Sequence, residues 1–274
     1  MKSLLIVTLF ACLTSLASAE SVSSDYQKEL DAYHQRRLTK LTHEDGYLSL
    51  VGLHWLSDKP KEIEEIGVAW IEDDKVQILL RDGHEFQGRP VDSVTLGLDG
   101  KEGDEYVTKG TRKFYAVKRG PWVGLRVKDS EAPTRTGFTD IERFPPNLEW
   151  RLTGRLEEAH ESVAVASVVG VATEEESPGF AAFEKDGVKC RVRLIGAPED
   201  KKFFLVFSDK SAGKSTYTAC RFLTVERGEG DSLILDFNKS INPACAFTQY
   251  ATCPLPPEEN VLPFAVLAGE KKPH

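Results

Sequence analysis

The segment V-K-C-R-V-R-L, residues 188–194, indicates most directly how this chain folds. Four apolar side chains alternate with three cationic ones, and the apolar set is Val188, Cys190, Val192 and Leu194. Because successive side chains of a strand point to opposite faces, this pattern predicts a β-strand with one buried and one solvated face. The Asp186-Gly187 pair just before it is typical of a hairpin turn.

Segments of the same kind recur along the chain after Gly46. They are 48–56, 66–71, 75–80, 112–119, 122–128, 163–171, 202–207, 215–225 and 231–236. Asp99-Gly100 and Gly228-Glu229-Gly230 supply further turn signals. Strands do not alternate regularly with long helices, which weighs against a Rossmann-like or α/β-barrel fold. We therefore expect a mainly β fold, a large antiparallel sandwich or open barrel, with 128–147 as a long crossing connection.

One helix is predicted, close to the start of the chain. Its apolar and long side chains recur at helical spacing: Tyr26, Leu30, Tyr33, Arg37 and Leu41. Serines 23 and 24 are suitable caps, and Asp45-Gly46 ends the pattern. The Arg36-Arg37 pair on this helix is typical of a solvated face, with anion binding as the alternative.

Residues 1–19 have the pattern of a secretory signal peptide. Lys2 begins it, an apolar run occupies 4–16, and Ala17-Ser18-Ala19 provides small residues for cleavage. The run is shorter than the roughly 20 residues that span a bilayer, so we expect no stable membrane anchor. The prediction is a secreted or periplasmic protein whose residues 20–274 form a single β-rich domain. A lipid anchor through Cys12 is the alternative, since Leu9-Phe10-Ala11-Cys12 resembles a lipobox.

The composition limits the kinds of partner. The formal net charge is −8, and removal of Lys2 with the signal would make it −9. Such an acidic balance weighs against binding of nucleic acid or anionic lipid. Gly213-Lys214-Ser215 resembles the end of a phosphate loop, but Ser208 stands where that motif needs glycine. The six histidines have no zinc-ligand spacing. We therefore predict no cofactor and no metal, with one reservation for calcium.

Four cysteines follow the predicted cleavage point: Cys190, Cys220, Cys245 and Cys253. Export would place them in an oxidising compartment, where thiols tend to pair. Four cysteines allow three pairings, and spacing alone does not choose among them. We favour Cys245–Cys253, which closes a short loop bounded by prolines, together with Cys190–Cys220. A Cys190 thiol packed in the core is the alternative to the second pair.

The candidate site lies in the polar segment 236–270. It contains D-F-N-K-S-I-N-P-A-C-A-F at 236–247, A-T-C-P-L-P-P-E-E-N-V-L at 251–262 and A-G-E-K at 268–271. Its prolines favour a stiff, shaped loop over a helix. The candidate ligand-binding residues are Tyr217, Arg221, Asp236, Asn238, Asn242 and Glu270, and Arg126 and Asp209 complete the polar group.

Several functions fit these residues. The first is binding of a small polar ligand, a sugar or a carboxylated metabolite, with Trp55 or Trp122 as a stacking surface. The second is hydrolysis with Asp236 or Glu270 as general base, and the third is a structural role in the cell envelope. A buried Arg221–Asp236 ion pair between adjacent strands is the structural alternative for the polar group. Calcium binding around Asp236 also stays open, although an EF-hand is excluded.

The C-terminal motifs also carry a family resemblance. Together with F-S-D-K-S-A-G-K-S-T-Y-T-A-C-R-F-L at 207–223, the segment 236–270 resembles the bacterial and archaeal family known as domain of unknown function 1684. The segments 46–56, 124–129 and 144–150 extend the resemblance to about residues 26–271. Cys220 departs from the glycine expected before Arg-Phe-Leu. The resemblance implies a common fold and no particular reaction.

Overall fold

The computed structural model describes residues 22–98 and 104–273. The predicted signal peptide at 1–19, including Cys12, and the Asp99-Gly100 turn lie outside these ranges. Within them, helix α1 (Ser24–Thr42) comes first, and the hydroxyl of Ser23 accepts a hydrogen bond from the backbone N–H of Tyr26 at 3.2 Å. A short helix α2 (Pro133–Thr136) follows much later. The long N-terminal helix is therefore confirmed.

Ten strands lie before α2 in the described ranges. They are β1 (Leu50–Trp55), β2 (Lys61–Ile63), β3 (Gly67–Glu72), β4 (Lys75–Leu80), β5 (Glu85–Phe86), β6 (Arg89–Pro90), β7 (Ser93–Leu96), β8 (Val107–Lys109), β9 (Arg112–Arg119) and β10 (Trp122–Asp129). They form two antiparallel sheets, in the orders β1-β10-β9-β8-β5-β6 and β2-β3-β4-β7. The two sheets pack on one apolar core that includes Ile78, Phe114 and Leu125.

Six further strands follow α2. They are β11 (Arg151–Ala166), β12 (Ala172–Lys185), β13 (Val188–Arg193), β14 (Lys202–Phe207), β15 (Arg221–Arg227) and β16 (Ser232–Asp236). They form a third antiparallel sheet in the order β13-β12-β11-β16-β15-β14. A bridge between Ile195 and Phe204 joins its two edges. The sheet therefore curves into a half-barrel, and its core of Phe203, Leu205 and Leu235 shares no buried residue with the first core.

The fold is mainly β with one N-terminal helix, as the alternation predicts. The Asp186-Gly187 turn has φ values of 51° and 80°, so both residues adopt the left-handed conformation that a tight hairpin requires. Across this hairpin Cys190 is opposite Phe183. Between residue 237 and residue 273, the last one described, the polar C-terminal segment has no strand and contains 3₁₀ turns at Phe237–Lys239, Ala244–Ala246 and Glu258–Asn260.

Two predicted strands differ from the structure. The segment predicted at 163–171 covers only the tip of the β11–β12 hairpin. The rest of the two strands is rich in glutamate, so it lacks a clear alternation of apolar and polar residues. The strand predicted at 215–225 begins only at Arg221. Before it, Asp209 accepts hydrogen bonds from the backbone N–H and hydroxyl of Ser211, which hold that segment as turns. Tyr217 therefore precedes β15, and Arg221 is the first residue of that strand.

Candidate functional site

A cleft of about 680 Å³ is the best candidate for a functional site. One wall comes from β9 and β10, a second from the β11–β12 hairpin, and a third from the C-terminal segment around Asn242 and 251–254. Arg37 of α1 completes it. The volume lies within the range of about 300–1,000 Å³ that is usual for small-molecule sites.

Four cations line this cleft: Arg37, Lys118, Arg119 and Arg126. Glu175 is the one acidic side chain among the described lining residues. Lys118 and Arg119 lie at the end of β9, whereas Arg126 lies on β10 and is buried. Because the strands are antiparallel neighbours, the hairpin between them gathers cations that are seven and eight positions apart in sequence. In a chain of net charge −8, the cleft concentrates positive charge.

Thr252 aligns two of these cations. Its hydroxyl oxygen accepts a hydrogen bond from Nε of Arg119 at 2.9 Å and another from Nη2 of Arg126 at 3.2 Å. A hydroxyl oxygen offers two lone pairs and one proton, so its proton stays available for an acceptor in the cleft. Thr252 thereby makes the two guanidinium groups converge on one point of the cleft.

Asn242 supplies a buried polar atom to the same cleft. The side chain is 1% exposed, and its Nδ2 donates to the backbone oxygen of Lys271 at 2.7 Å. This bond fixes the amide orientation, because only the nitrogen donates. Within residues 22–98 and 104–273, Oδ1 of Asn242 accepts no hydrogen bond. A buried acceptor left in this way costs about 1–3 kcal/mol unless a donor reaches it.

Arg37 and Glu270 hold Asn242 in place. Nε of Arg37 donates to Oε1 of Glu270 at 3.1 Å, and Nη2 donates to the backbone oxygen of Asn242 at 2.7 Å. The second carboxylate oxygen of Glu270 accepts the backbone N–H of Asn242 at 2.6 Å. Burial raises the pKa of Glu270, although Arg37 opposes this change. The three residues thus connect α1, the 3₁₀ region and the end of the chain.

The remaining surface of the cleft is largely apolar. Val171 lies at the tip of the β11–β12 hairpin, and Phe204 and Phe222 lie on β14 and β15. The rings of Phe204 and Phe222 meet edge to face with centroids 4.9 Å apart. A bound molecule would therefore meet cations on one side and an apolar surface on the other.

The other residues predicted for ligand binding lie elsewhere. Arg221 is 1% exposed, and Nη2 donates to Asp209 at 2.8 Å, so the predicted Arg221–Asp236 pair is wrong. Its guanidinium also donates to the backbone oxygens of Val266 and Ala268. Burial lowers the pKa of Arg221, and the charge of Asp209 opposes this change. Arg221 therefore anchors the chain end to β15.

Asp236 and Asn238 belong to a second buried group under α1. Oδ1 of Asp236 accepts the hydroxyl of Tyr26 at 2.7 Å, and Nδ2 of Asn238 donates to the same hydroxyl at 3.0 Å. Burial and the hydrogen bond to Asp236 raise the pKa of Tyr26. Lys239 lies 3.5 Å from the second oxygen of Asp236. These contacts fix the helix on the sheet, away from the cleft.

Tyr217 contacts the cysteine-containing loop. Its hydroxyl donates to the backbone oxygen of Cys245 at 2.9 Å. The backbone N–H of Cys245 donates to Sγ of Cys253 at 3.2 Å. All four described cysteines are free thiols, so neither the Cys245–Cys253 nor the Cys190–Cys220 disulfide is present. Of the predicted set, only Asn242 and Glu270 lie at the cleft or directly behind it.

Most of the cationic wall could not be predicted from the sequence. Lys118 and Arg119 occupy a strand end, where charged residues are common and give no local signal. Arg37 was assigned to a solvated face, and its burial depends on Glu270, 233 residues away. Trp55 and Trp122, proposed as stacking surfaces, pack against each other with ring centroids 5.2 Å apart. One local signal of this wall is present in the sequence, because Arg126 is a cation between apolar residues of a predicted strand.

Nowhere in 22–98 or 104–273 do three or more His, Cys, Asp or Glu side chains converge in a way that could hold a metal ion. No helix in these ranges is long and apolar enough to cross a membrane.

Comparison with known proteins finds a family match in the C-terminal part of the chain. Residues 136–271 match the family described as protein of unknown function DUF1684. This segment includes the C-terminal walls of the cleft. The resemblance is thus confirmed over residues 136–271, and over residues 26–135 it stays a prediction.

A solved structure is also similar to part of the chain. It is the solution NMR structure of the uncharacterized protein from gene locus rrnAC0354 of Haloarcula marismortui, 29% identical in sequence, with a TM-score of 0.42. The match covers 50% of this chain and 78% of that one. No curated protein matches the chain.

Proposed function

We propose that the protein binds a small organic anion that also carries a hydroxyl group, such as a sugar acid or a hydroxy acid, in the cleft described above. The observation that carries this proposal is a cleft lined by four cations and by Asn242, whose buried Oδ1 accepts no hydrogen bond from the described residues. A carboxylate would meet the cations, and a hydroxyl would donate to Asn242.

The charge distribution supports an anionic ligand. Positive side chains gathered in a concave surface with apolar walls focus the field and raise the local concentration of anions. Guanidinium groups suit carboxylates because two N–H donors can meet two carboxylate oxygens. The convergence of Arg119 and Arg126 on Thr252 provides such donors from two directions.

The remaining contacts restrict the ligand further. Asn242 offers an acceptor, so a ligand with a hydroxyl would relieve the cost of its buried oxygen, and one without a donor would not. The apolar surface of Phe204 and Phe222 suits the C–H face of a sugar ring or an aliphatic chain. These features favour a sugar acid over the neutral sugar that the sequence also allowed.

Calorimetric titration with matched ligands tests the proposal. Glucuronate and glucose differ by one carboxylate, and cyclohexanecarboxylate has a six-membered ring and one carboxylate but no hydroxyl group. We expect binding in the order glucuronate, cyclohexanecarboxylate, glucose, and weaker binding of glucuronate as salt is added. Equal affinity for glucuronate and glucose, or no binding of any of the three, would contradict the proposal.

The hydrolase alternative has less support. Asp236 and Glu270 are 4% and 2% exposed, and both accept hydrogen bonds from protein donors. A general base must reach a proton of the substrate, directly or through one water. A structural envelope role is the outcome that remains if neither binding nor turnover is measured.

We also propose that the protein is exported, on the basis of the signal pattern in residues 1–19. Fractionation of cells that produce the full chain tests this. The protein should appear outside the cytoplasm with its N-terminus near residue 20, and retention of an intact N-terminus in the cytoplasm would contradict export. In an oxidising compartment the predicted Cys245–Cys253 bond would be favoured.

A further inference from the structure

Three of the four described cysteines lie at one wall of the cleft: Cys253 lines it, and Cys245 and Cys220 contact residues 253 and 254 of that wall. Cys245 lies in the 3₁₀ turn Ala244–Ala246, and its backbone N–H donates to Sγ of Cys253 at 3.2 Å. Sγ of Cys220 donates to the backbone oxygen of Pro254 at 3.5 Å. Cys190 lies apart from this cluster, half-buried on β13.

We propose that Cys245 and Cys253 form a reversible redox couple, in which a hydroperoxide oxidises Cys245, Cys253 resolves it to a disulfide, and the disulfide alters the adjacent wall of the cleft. The proposal concerns these two thiols and their loop and does not depend on the identity of any ligand.

Access and burial assign the two roles. Cys245 is partly exposed, whereas Cys253 and Cys220 are 7% and 1% exposed. A peroxide therefore reaches Cys245 first, and the buried Cys253 beside it is placed to resolve the product. The hydrogen bond from Cys253 lowers the pKa of Cys245 to about 7, and burial raises the pKa of Cys220 to about 12. The thiolate form is the nucleophile, so these directions agree with the geometry.

The chemical steps balance without any further reactant. The Cys245 thiolate attacks the peroxide, the O–O bond breaks, and Cys245 becomes a sulfenic acid while the departing oxygen takes up a proton. The Cys253 sulfur then attacks the Cys245 sulfur, the S–S bond forms, and hydroxide leaves with the thiol proton as water. Two thiols thus supply the two electrons that reduce one hydroperoxide to an alcohol and water, and a dithiol reverses the change.

Hydrogen bonds stabilise the loop when Cys245 and Cys253 are both thiols, and this favours reversible oxidation. Sγ of Cys253 accepts the N–H of Cys245, and Tyr217 holds the Cys245 carbonyl. Interactions that stabilise the dithiol make the disulfide easier to reduce. A disulfide with a purely structural role would not need contacts that stabilise the dithiol.

The position of Cys253 links oxidation to the cleft. The N–H of Val168 donates to the Cys253 oxygen at 3.0 Å, and the N–H of Leu255 donates to the Ala166 oxygen at 2.7 Å. Residues 251–254 are therefore pinned against the hairpin tip. Any movement of Cys253 toward Cys245 is transmitted to Thr252, which positions Arg119 and Arg126.

Peroxide titration followed by mass spectrometry tests the couple. In the wild type we expect a mass loss of two hydrogens, a peptide linking Cys245 to Cys253, and full reversal by dithiothreitol. In Cys253→Ser the sulfenic acid should persist and react with dimedone at Cys245, whereas Cys245→Ser should give neither product. Cys190→Ser is the control and should behave as wild type. At neutral pH, Cys245 should react at least about fivefold faster than Cys190.

Two results would overturn the proposal. One is labelling of Cys190 in preference to Cys245, and the other is a disulfide that forms through Cys220 in the wild type. Hydrogen exchange of the oxidised protein tests the link to the cleft without a ligand: exchange in 244–255 should change while that in 61–80 does not. Unchanged exchange in 244–255 would remove the link. Neither measurement depends on whether glucuronate binds.

Discussion

The regions before and after α2 use their buried volume differently. The N-terminal region, β1 to β10, has an apolar core, whereas twelve of the sixteen buried polar side chains within the described ranges lie after residue 136. Asp209, Arg221, Asn260 and Glu270 are among them. Buried polar groups contribute little to net stability, but they fix geometry when each finds its partner. The region that matches the family is thus the one whose geometry is fixed by polar contacts.

The cleft joins the two regions. The family segment provides Asn242, Thr252 and the apolar surface, while β9 and β10 provide Lys118, Arg119 and Arg126. The C-terminal region, with its buried polar groups, therefore provides the acceptor Asn242, and the N-terminal region, with its apolar core, provides three of the cations. If the proposed function is correct, the C-terminal region recognises the shape of the ligand and the N-terminal region recognises its charge.

The largest expected effect tests whether the two cores are independent. Ile78→Ala in the first core and Leu205→Ala in the second should each lower the free energy of unfolding by about 2–5 kcal/mol. Because the cores share no buried residue, the double variant should lose the sum to within about 0.5 kcal/mol. Urea unfolding measures all three proteins, and a strong departure from the sum would show that the cores are coupled.

The next effect tests the polar network of the C-terminal region. Asp209→Ala should lower the free energy of unfolding by about 3–5 kcal/mol, because it leaves the charge of Arg221 buried without its partner. Asp45→Ala removes a carboxylate that is 43% exposed and pairs with Lys113, so it should cost at most about 1 kcal/mol. Chemical denaturation of both variants gives the comparison. Equal losses would mean that the buried ion pair contributes no more to the free energy of unfolding than the exposed one.

A smaller effect concerns pH. Burial raises the pKa of Glu270 above the ordinary value of 4.5, so this carboxyl adds stability that is fully present below its unfolded-state pKa and is lost as pH rises through its folded-state pKa. The free energy of unfolding of the wild type should therefore fall relative to that of Glu270→Gln as pH rises above 4.5. Denaturation of both proteins between acid and neutral pH measures this difference. A difference that rises with pH would reverse the sign of the pKa shift.

The smallest effect concerns the cationic wall. Lys118→Gln removes an exposed charge at the cleft and should weaken glucuronate binding by about two- to fivefold, which corresponds to at most about 1 kcal/mol. Lys189→Gln removes an exposed charge from β13 and should leave the affinity unchanged. Calorimetry with both variants shows whether the cations of the N-terminal region bind the carboxylate of glucuronate. An equal loss in both would assign the effect to net charge alone.

The sequence was sufficient for the class of fold and for part of the site. Alternation at 188–194 and the spacing from Tyr26 to Leu41 reflect local burial, which is why β13 and α1 were predicted correctly. The partner of Arg221 was assigned wrongly, because Asp209 and Asp236 are equally plausible from pattern and only the turn at 209–216 brings Asp209 close. Lys118, Arg119 and Thr252 meet through the packing of distant segments, which no local pattern encodes.

The contact between Arg37 and Glu270 has a consequence for the order of assembly. These two side chains are separated by 233 positions, and Asn242 is held by both of them. Arg37 of α1 can therefore form this contact only after Glu270 has been synthesised. Long-range closure of this kind slows folding, so we expect the wall of the cleft that contains Asn242 to form late in folding.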